Sequence, residues 1–321
     1  MKKKILSLII LSYNTKKILQ DCLGSLRKAS VPGGYLLEII VVDNGSVDGS
    51  AAWLQNWASR SLTNRFVREK KNLGFALGNN HGLKIASGDF VMLLNSDTIV
   101  RKDVFEKLVF YLEKNPRIGA VSPLLLLPDG QPQNDYYFRF PNLWQLAFYH
   151  QPLLRPLVMK TPLKWLVVSR GKTMTDRLKP PVQDRITQLA FEVDQLPGAA
   201  LLVRRKVWNK VGGLDSDYHF LFEDVDWCWR ARIRGFKLAV VPEAKITHLG
   251  GASWKKKLQK NKNQFYYQYF ASMLLFVNKH YSFFASWVFF LSILVNFLTT
   301  FKWILAWDFL KNQGKQKKLW V

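Results

Sequence analysis

The sequence predicts an α/β layer on a mainly parallel central sheet flanked by helices, followed by a C-terminal membrane-associated helical segment. Three observations carry that expectation. Short runs rich in Ile, Leu and Val alternate with stretches of helical character through the first hundred residues. Two of those runs lead directly into an aspartate, Asp43 and Asp97. The longest uncharged apolar run, Tyr281 to Phe301, lies far downstream between Lys279 and Lys302.

The elements follow in order. Three lysines precede the apolar run from Ile5, which reads as a buried first strand. As a secretory leader it would be short, and no small-residue cleavage site follows. Lys16 to Ala29 has helical spacing, and Leu36 to Val42 reads as a second buried strand running into Asp43-Asn44-Gly45-Ser46. A capped helix is expected around Ser50 to Ser59, a third strand at Phe66-Val67 and a helix from Asn79 to Ser87. Phe90 to Leu94 is another buried strand, ending at Asn95-Ser96-Asp97. Residues 131–190 are irregular and proline-rich, and regular order resumes at Gly198 to Val203 with a short helix over Val207 to Val211. Tyr281 to Phe301 would form a helix about 32 Å long, enough to cross a hydrocarbon core. Its Ser282, Ser286, Ser292, Asn296, Thr299 and Thr300 leave an interfacial helix open as the alternative. Two domains are therefore expected, residues 1–254 and a basic, apolar tail over 255–321.

Composition narrows the class. Of the 321 residues 48% are hydrophobic, which excludes a disordered chain. Cys22 and Cys228 stand far apart, excluding a disulfide scaffold and a cysteine zinc site. The net charge of +24 invites a nucleic-acid reading, but its distribution argues otherwise. Residues 255–321 carry 11 Lys against the single acid Asp308, and residues 151–190 carry 8 basic against 2 acidic side chains. Both segments are rich in apolar residues, so an anionic membrane surface is the expected partner and nucleic acid is not.

Carboxylates placed just past buried strands need partners. Capping of the next helix, by Asp43 or Ser46, is one explanation; ligand binding at the carboxyl ends of a parallel sheet is the other. The polar motifs run Ser12-Tyr13-Asn14, Asp43-Asn44-Gly45-Ser46, Asn72-Leu73-Gly74-Phe75-Ala76, Asn95-Ser96-Asp97, Glu223-Asp224-Val225-Asp226, and His248 before Gly250-Gly251. In that order and spacing they resemble family 2 glycosyltransferases of the GT-A fold, a nucleotide-diphospho-sugar transferase fold. The Asn95-Ser96-Asp97 triplet and Leu196 to Arg205 look most like bacterial rhamnosyltransferase-type members. The resemblance covers about residues 5 to 252.

The resemblance implies a non-processive, inverting enzyme that moves a sugar from a nucleotide diphosphate to a membrane-held or lipid-linked glycan acceptor. It implies dTDP-rhamnose as donor, with UDP-sugars as the runner-up, and work at the cytoplasmic membrane face in cell-surface polysaccharide synthesis. Asp43 would accept a hydrogen bond from the N3–H of a uracil or thymine. Ser12, Tyr13, Asn14, Asn72, Gly74, Phe75, Asn95 and Ser96 would line the nucleotide site within residues 1–100, Gly74 allowing close backbone approach. Asp97 and His248 would hold a divalent metal, Mg²⁺ or Mn²⁺; Asn95 stands where the family's first metal-motif carboxylate belongs, so joint binding of metal and donor is expected. Asp224 would be the base, and residues 131–190 would shape the acceptor side. Glu223 and Asp226 are also explained as acids at a helix start. His81, His150, His219 and His280 lack such context and read as structural. No Gln-x-x-Arg-Trp motif follows, which sets the processive synthases aside, and no serine or cysteine nucleophile motif appears, which favours a single in-line displacement. Asn95 also leaves room for a non-catalytic anchoring role.

Overall fold

The computed structural model describes residues 3–133, 140, 160, 190–218, 221–250, 261–299, 307 and 310. The chain divides into two compact units, one of Met1–Phe138, Leu178–Asp217 and Glu223–Ala252, the other of Arg139–Arg177, Tyr218–Phe222 and Ser253–Val321.

The first unit opens as expected. β1 (Lys4–Ser12), α1 (Lys16–Leu26), β2 (Tyr35–Asp43), α2 (Ser50–Ala58) and β3 (Asn64–Arg68) are followed by α3 (Phe75–Ile85) and β4 (Phe90–Asn95). The near-continuous apolar strands reflect burial on both faces: Leu6, Leu8, Ile9 and Ile10 of β1 are all fully buried. α3 begins four residues earlier than expected. Gly74 adopts φ +85°, a turn open to glycine, and Phe75 starts the helix immediately after it. Gly78 and Gly82 present α3 to β1 without side chains; a Cβ on either would fall inside contact distance of Leu11 or Ile9.

β5 (Thr98–Val100), α4 (Val104–Lys114), β6 (Ile118–Leu126), β7 (Phe191–Val193), β8 (Ala200–Arg204), α5 (Arg205–Val211), α6 (Glu223–Ile233) and β9 (Lys237–His248) complete the unit. Among the described residues the sheet runs β3-β2-β1-β4-β8-β6-β9-β5, with β7 also on β9. It is mixed rather than mainly parallel. β1 is parallel to both β2 and β4, β2 to β3, and β6 to β9; β8 is antiparallel to β4 and β6, and β5 and β7 are antiparallel to β9. A buried apolar run carries no mark of its direction, and a strand covered on both faces looks alike either way.

The second unit contains two described helices, α7 (Lys262–His280) and α8 (Phe283–Thr299). Phe270, Met273, Leu274 and Val277 of α7 pack against Ala285, Phe289, Ile293 and Phe297 of α8. The apolar run does not begin as helix at Tyr281, which is extended (φ −120°, ψ 174°). Ser282 Oγ accepts from the Ala285 N–H at 3.2 Å and starts α8 one residue later. No helix among the described residues is long and apolar enough to cross a membrane. Most of residues 131–190, the lysines at 255–257 and nearly all residues beyond Thr299 lie outside the described residues.

Candidate active site

The parallel registers of β1, β2 and β4 set Ser12 beside Asp43 and Leu11 beside Asn95, so three predicted motifs end on one edge of the sheet. Asp43 is fully buried there, and neither carboxylate oxygen has a hydrogen-bond partner. It does not cap α2. The N-cap of α2 is Gly49, and the preceding Asp48 accepts from Ser50 N–H through Oδ1 at 3.0 Å and from Lys16 N–H, at the start of α1, through Oδ2 at 2.9 Å. Nor does Ser46 cap a helix, since its Oγ accepts from Asn14 N–H at 2.9 Å. An acceptor held out of water without a donor costs folding free energy and is retained where a ligand supplies the donor.

The flanking turns are tightly built. Asn14 takes φ +52°, a left-handed conformation Asn tolerates, and its Oδ1 accepts from Val47 N–H at 2.9 Å; Tyr13 beside it is exposed. Asn44 is buried and knits two motifs together. Its Nδ2 donates to Asn72 Oδ1 at 3.0 Å and to the Gly74 carbonyl at 3.2 Å, and its Oδ1 accepts from Leu73 N–H at 2.9 Å. Gly45, at φ +80°, lets the two turns touch: a Cβ there would lie 2.6 Å from the Lys71 carbonyl carbon. The space where a Gly74 side chain would project is open.

One strand further along, Asn95-Ser96-Asp97 meets the end of β9. His248 Nε2 lies 3.3 Å from Asp97 Oδ1 and 3.5 Å from Asn95 Nδ2, with Asp97 and His248 both buried. Gln133 grips the other side of the imidazole. Its Nε2 donates to the His248 carbonyl at 2.8 Å, which turns its Oε1 to His248 Nδ1 at 2.9 Å. Nδ1 is therefore a donor nitrogen, an assignment made from the hydrogen-bond pattern, which leaves Nε2 as the nitrogen that faces the Asp97 carboxylate. In the Nδ1–H tautomer a cation can sit between that nitrogen and the carboxylate. An imidazole nitrogen with a carboxylate oxygen suits a divalent ion, whose further coordination positions suit phosphate oxygens. Among the described residues no group of three His, Cys, Asp or Glu side chains could hold a metal, so two protein ligands are what this edge offers.

The acidic motif opens α6. Asp224 Oδ2 accepts from the Gly198 N–H at 2.8 Å and Oδ1 from Val225 N–H at 2.9 Å. Desolvation by burial raises its carboxyl above the ordinary aspartate range, in spite of those two donors. Glu223 is pushed up to about 8, by burial first and then by the Asp224 charge, and its Oε2 has no partner. Asp226 braces the helix instead. Its Oδ2 accepts from Arg230 Nε at 2.6 Å, and that guanidinium also holds the Val211 and Gly213 carbonyls.

These groups form one continuous edge. Thr15 Oγ1 sits 3.0 Å from Ser12 Oγ and 3.4 Å from Ser96 Oγ, linking the Ser12–Asn14 turn to the Asn95–Asp97 turn. Asn95 N–H donates to the Ala199 carbonyl at 2.9 Å, and the adjacent Gly198 reaches Asp224. A Cβ on Gly198 would meet the Phe75 ring at 3.2 Å and Asp224 Cβ at 3.3 Å, so Phe75 and Asp224 flank it. Asp43 and Asp97 thus lie at strand ends, and Asp224, in the first turn of α6, is held by Gly198 just before β8. Thr15 and Gln133 lie outside the motifs legible in the sequence. Asn44 and Gly198 fall within or beside them, but no motif assigns either a part.

Comparison with known proteins bears on the family and the fold. Residues 7–156 match the family model described as Glycosyl transferase family 2. The chain is 26% identical over 255 residues to the N-acetylglucosaminyl-diphospho-decaprenol L-rhamnosyltransferase of Mycobacterium tuberculosis, covering 76% of each. It is also 26% identical over 252 residues to an uncharacterized protein of Sinorhizobium fredii, spanning 78% of this chain and 25% of that one. A mannosyltransferase from Pyrobaculum calidifontis, solved with GDP-Man and Mn²⁺, superposes with a TM-score of 0.54 at 18% identity, over 85% of this chain and 64% of that one. That likeness bears on the fold, the GT-A arrangement of a mixed sheet between helices.

Proposed function

We propose that this glycosyltransferase, whose residues 7–156 match glycosyl transferase family 2, transfers rhamnose from dTDP-rhamnose to a lipid-linked glycan acceptor, with inversion and one sugar per encounter. The observation that supports the reading is the series of contacts that links these groups through intervening residues: Asp43 pairs with Ser12, Thr15 joins Ser12 to Ser96 beside the Asp97–His248 pair, and Asn95 N–H meets Ala199 next to Gly198, which holds Asp224. The donor and the acceptor class rest on similarity to the mycobacterial rhamnosyltransferase, whose name gives a decaprenol-linked acceptor.

Asp43 supplies the buried acceptor for the ring N3–H of the base, and the Asn44–Asn72–Gly74 cluster holds the turn beside it. Asp97 and His248 Nε2 would hold a divalent cation, with Asn95 close by. When bound, that ion offsets the charge on the departing diphosphate. Asp224 takes the proton of the acceptor hydroxyl as its oxygen bonds to the anomeric carbon and the bond to the diphosphate oxygen breaks. Burial raises the affinity of Asp224 for that proton, as a general base requires. The Gly198 N–H keeps the carboxylate aimed.

A UDP-sugar is the second reading of the same site. Uracil and thymine present the same N3–H, so Asp43 does not separate them. Thermal stabilisation by a panel of dTDP- and UDP-sugars with Mn²⁺ or Mg²⁺, followed by transfer to a prenyl-diphosphate acceptor, tests the assignment. Stabilisation and turnover with dTDP-rhamnose are expected; stabilisation by UDP-sugars alone would replace the donor.

A further inference from the structure

α8 is apolar on both sides. Its exposed residues are Phe283, Phe284, Trp287, Leu291, Val295 and Leu298, with 41 to 70% of their surface open. Ala285, Phe289, Ile293 and Phe297 are buried on the opposite side against α7, and the polar Ser286 and Asn296 are buried as well. A helix on a water-facing surface exposes polar residues instead. The exposed stripe recurs every four residues and closes with a step of three, so it forms one continuous face. An apolar face of this kind marks contact with an apolar partner.

We infer that this face is a lipid-docking surface on which α8 lies in the plane of an anionic bilayer. Charge selects the partner. Residues 255–321 carry 11 Lys and one acid, which suits anionic headgroups and opposes the approach of a second copy bearing the same charge. Packing selects the orientation: one face of α8 is occupied along its described length by α7. Trp287 and the aromatic pair Phe283-Phe284 are side chains suited to the headgroup boundary.

Co-sedimentation of the full chain with phosphatidylglycerol–phosphatidylcholine vesicles tests this, comparing the wild type with Phe284→Glu/Leu291→Glu and with Phe284→Ser/Leu291→Ser. All four substitutions replace exposed side chains, and circular dichroism reports whether the fold holds. Wild-type binding that falls at least about tenfold in both variants, is weaker on phosphatidylcholine alone, and is released by alkaline carbonate is expected. Three results would overturn the inference. These are unchanged partition of the folded variants, retention through carbonate as for a spanning helix, and a wild-type dimer that the variants dissociate while no vesicle binding occurs. The readout is partition and not turnover, so it stands apart from the choice of donor.

Discussion

His248 Nε2 faces Asp97 Oδ1 at 3.3 Å, both side chains buried, while Gln133 fixes the far side of the imidazole. The pairing is set by strand register, since Thr98 of β5 lies opposite His248 of β9. The amide at Gln133 decides which nitrogen carries the lone pair, and thereby whether the pair can receive a cation.

Gln133→Leu removes both hydrogen bonds and lets the ring rotate or change tautomer. Mn²⁺ affinity in the presence of a nucleoside diphosphate, measured by calorimetry, is expected to fall about ten- to a hundredfold, with nucleotide binding in the absence of metal little changed.

Asp224→Asn keeps the Gly198 hydrogen bond but cannot take up the proton. Transfer is expected to be lost while donor binding survives. As the proposed base Asp224 works when ionised, so the rate should rise with pH through a midpoint above the 3.8 of an ordinary aspartate.

Glu223 bears on stability. It ordinarily ionises near 4.5, but the folded protein holds its proton to about 8. The folded state therefore binds the extra proton between those values; this contribution is whole below 4.5 and is lost as pH rises through 8. Melting temperatures should decline over that window, and Glu223→Gln should flatten the decline.

Asn44→Ala breaks three partly buried hydrogen bonds at once and leaves the Leu73 N–H without its acceptor. A loss of about 1–3 kcal/mol is expected in denaturant unfolding, with weaker donor binding, because the Asn72–Gly74 turn loses its anchor.

Much of this was readable from the chain. β1, β2 and β4 are buried runs that stop at polar residues, and several of the candidate site residues stand at those stops. β6 and β9 were not anticipated. Each contains a proline, Pro123 and Pro242, which ordinarily argues against a central strand. The sheet accommodates them by a register shift: Pro123 pairs with Val241, but Leu124 pairs with Lys245. Gln133 follows a proline-rich turn without periodic neighbours, so only the fold reveals that it reaches His248. The direction of β8 was likewise invisible in its composition.

Gly45 has a consequence for anyone wishing to retune the donor. Backbone meets backbone there, without a compressible side chain to absorb a change. The segments at 44–47 and 71–74 therefore behave as a single rigid jaw, and a mutagenesis library that varies one while enlarging position 45 would mostly yield misfolded chains. Diversity is better placed at exposed Tyr13, where a new side chain displaces solvent alone.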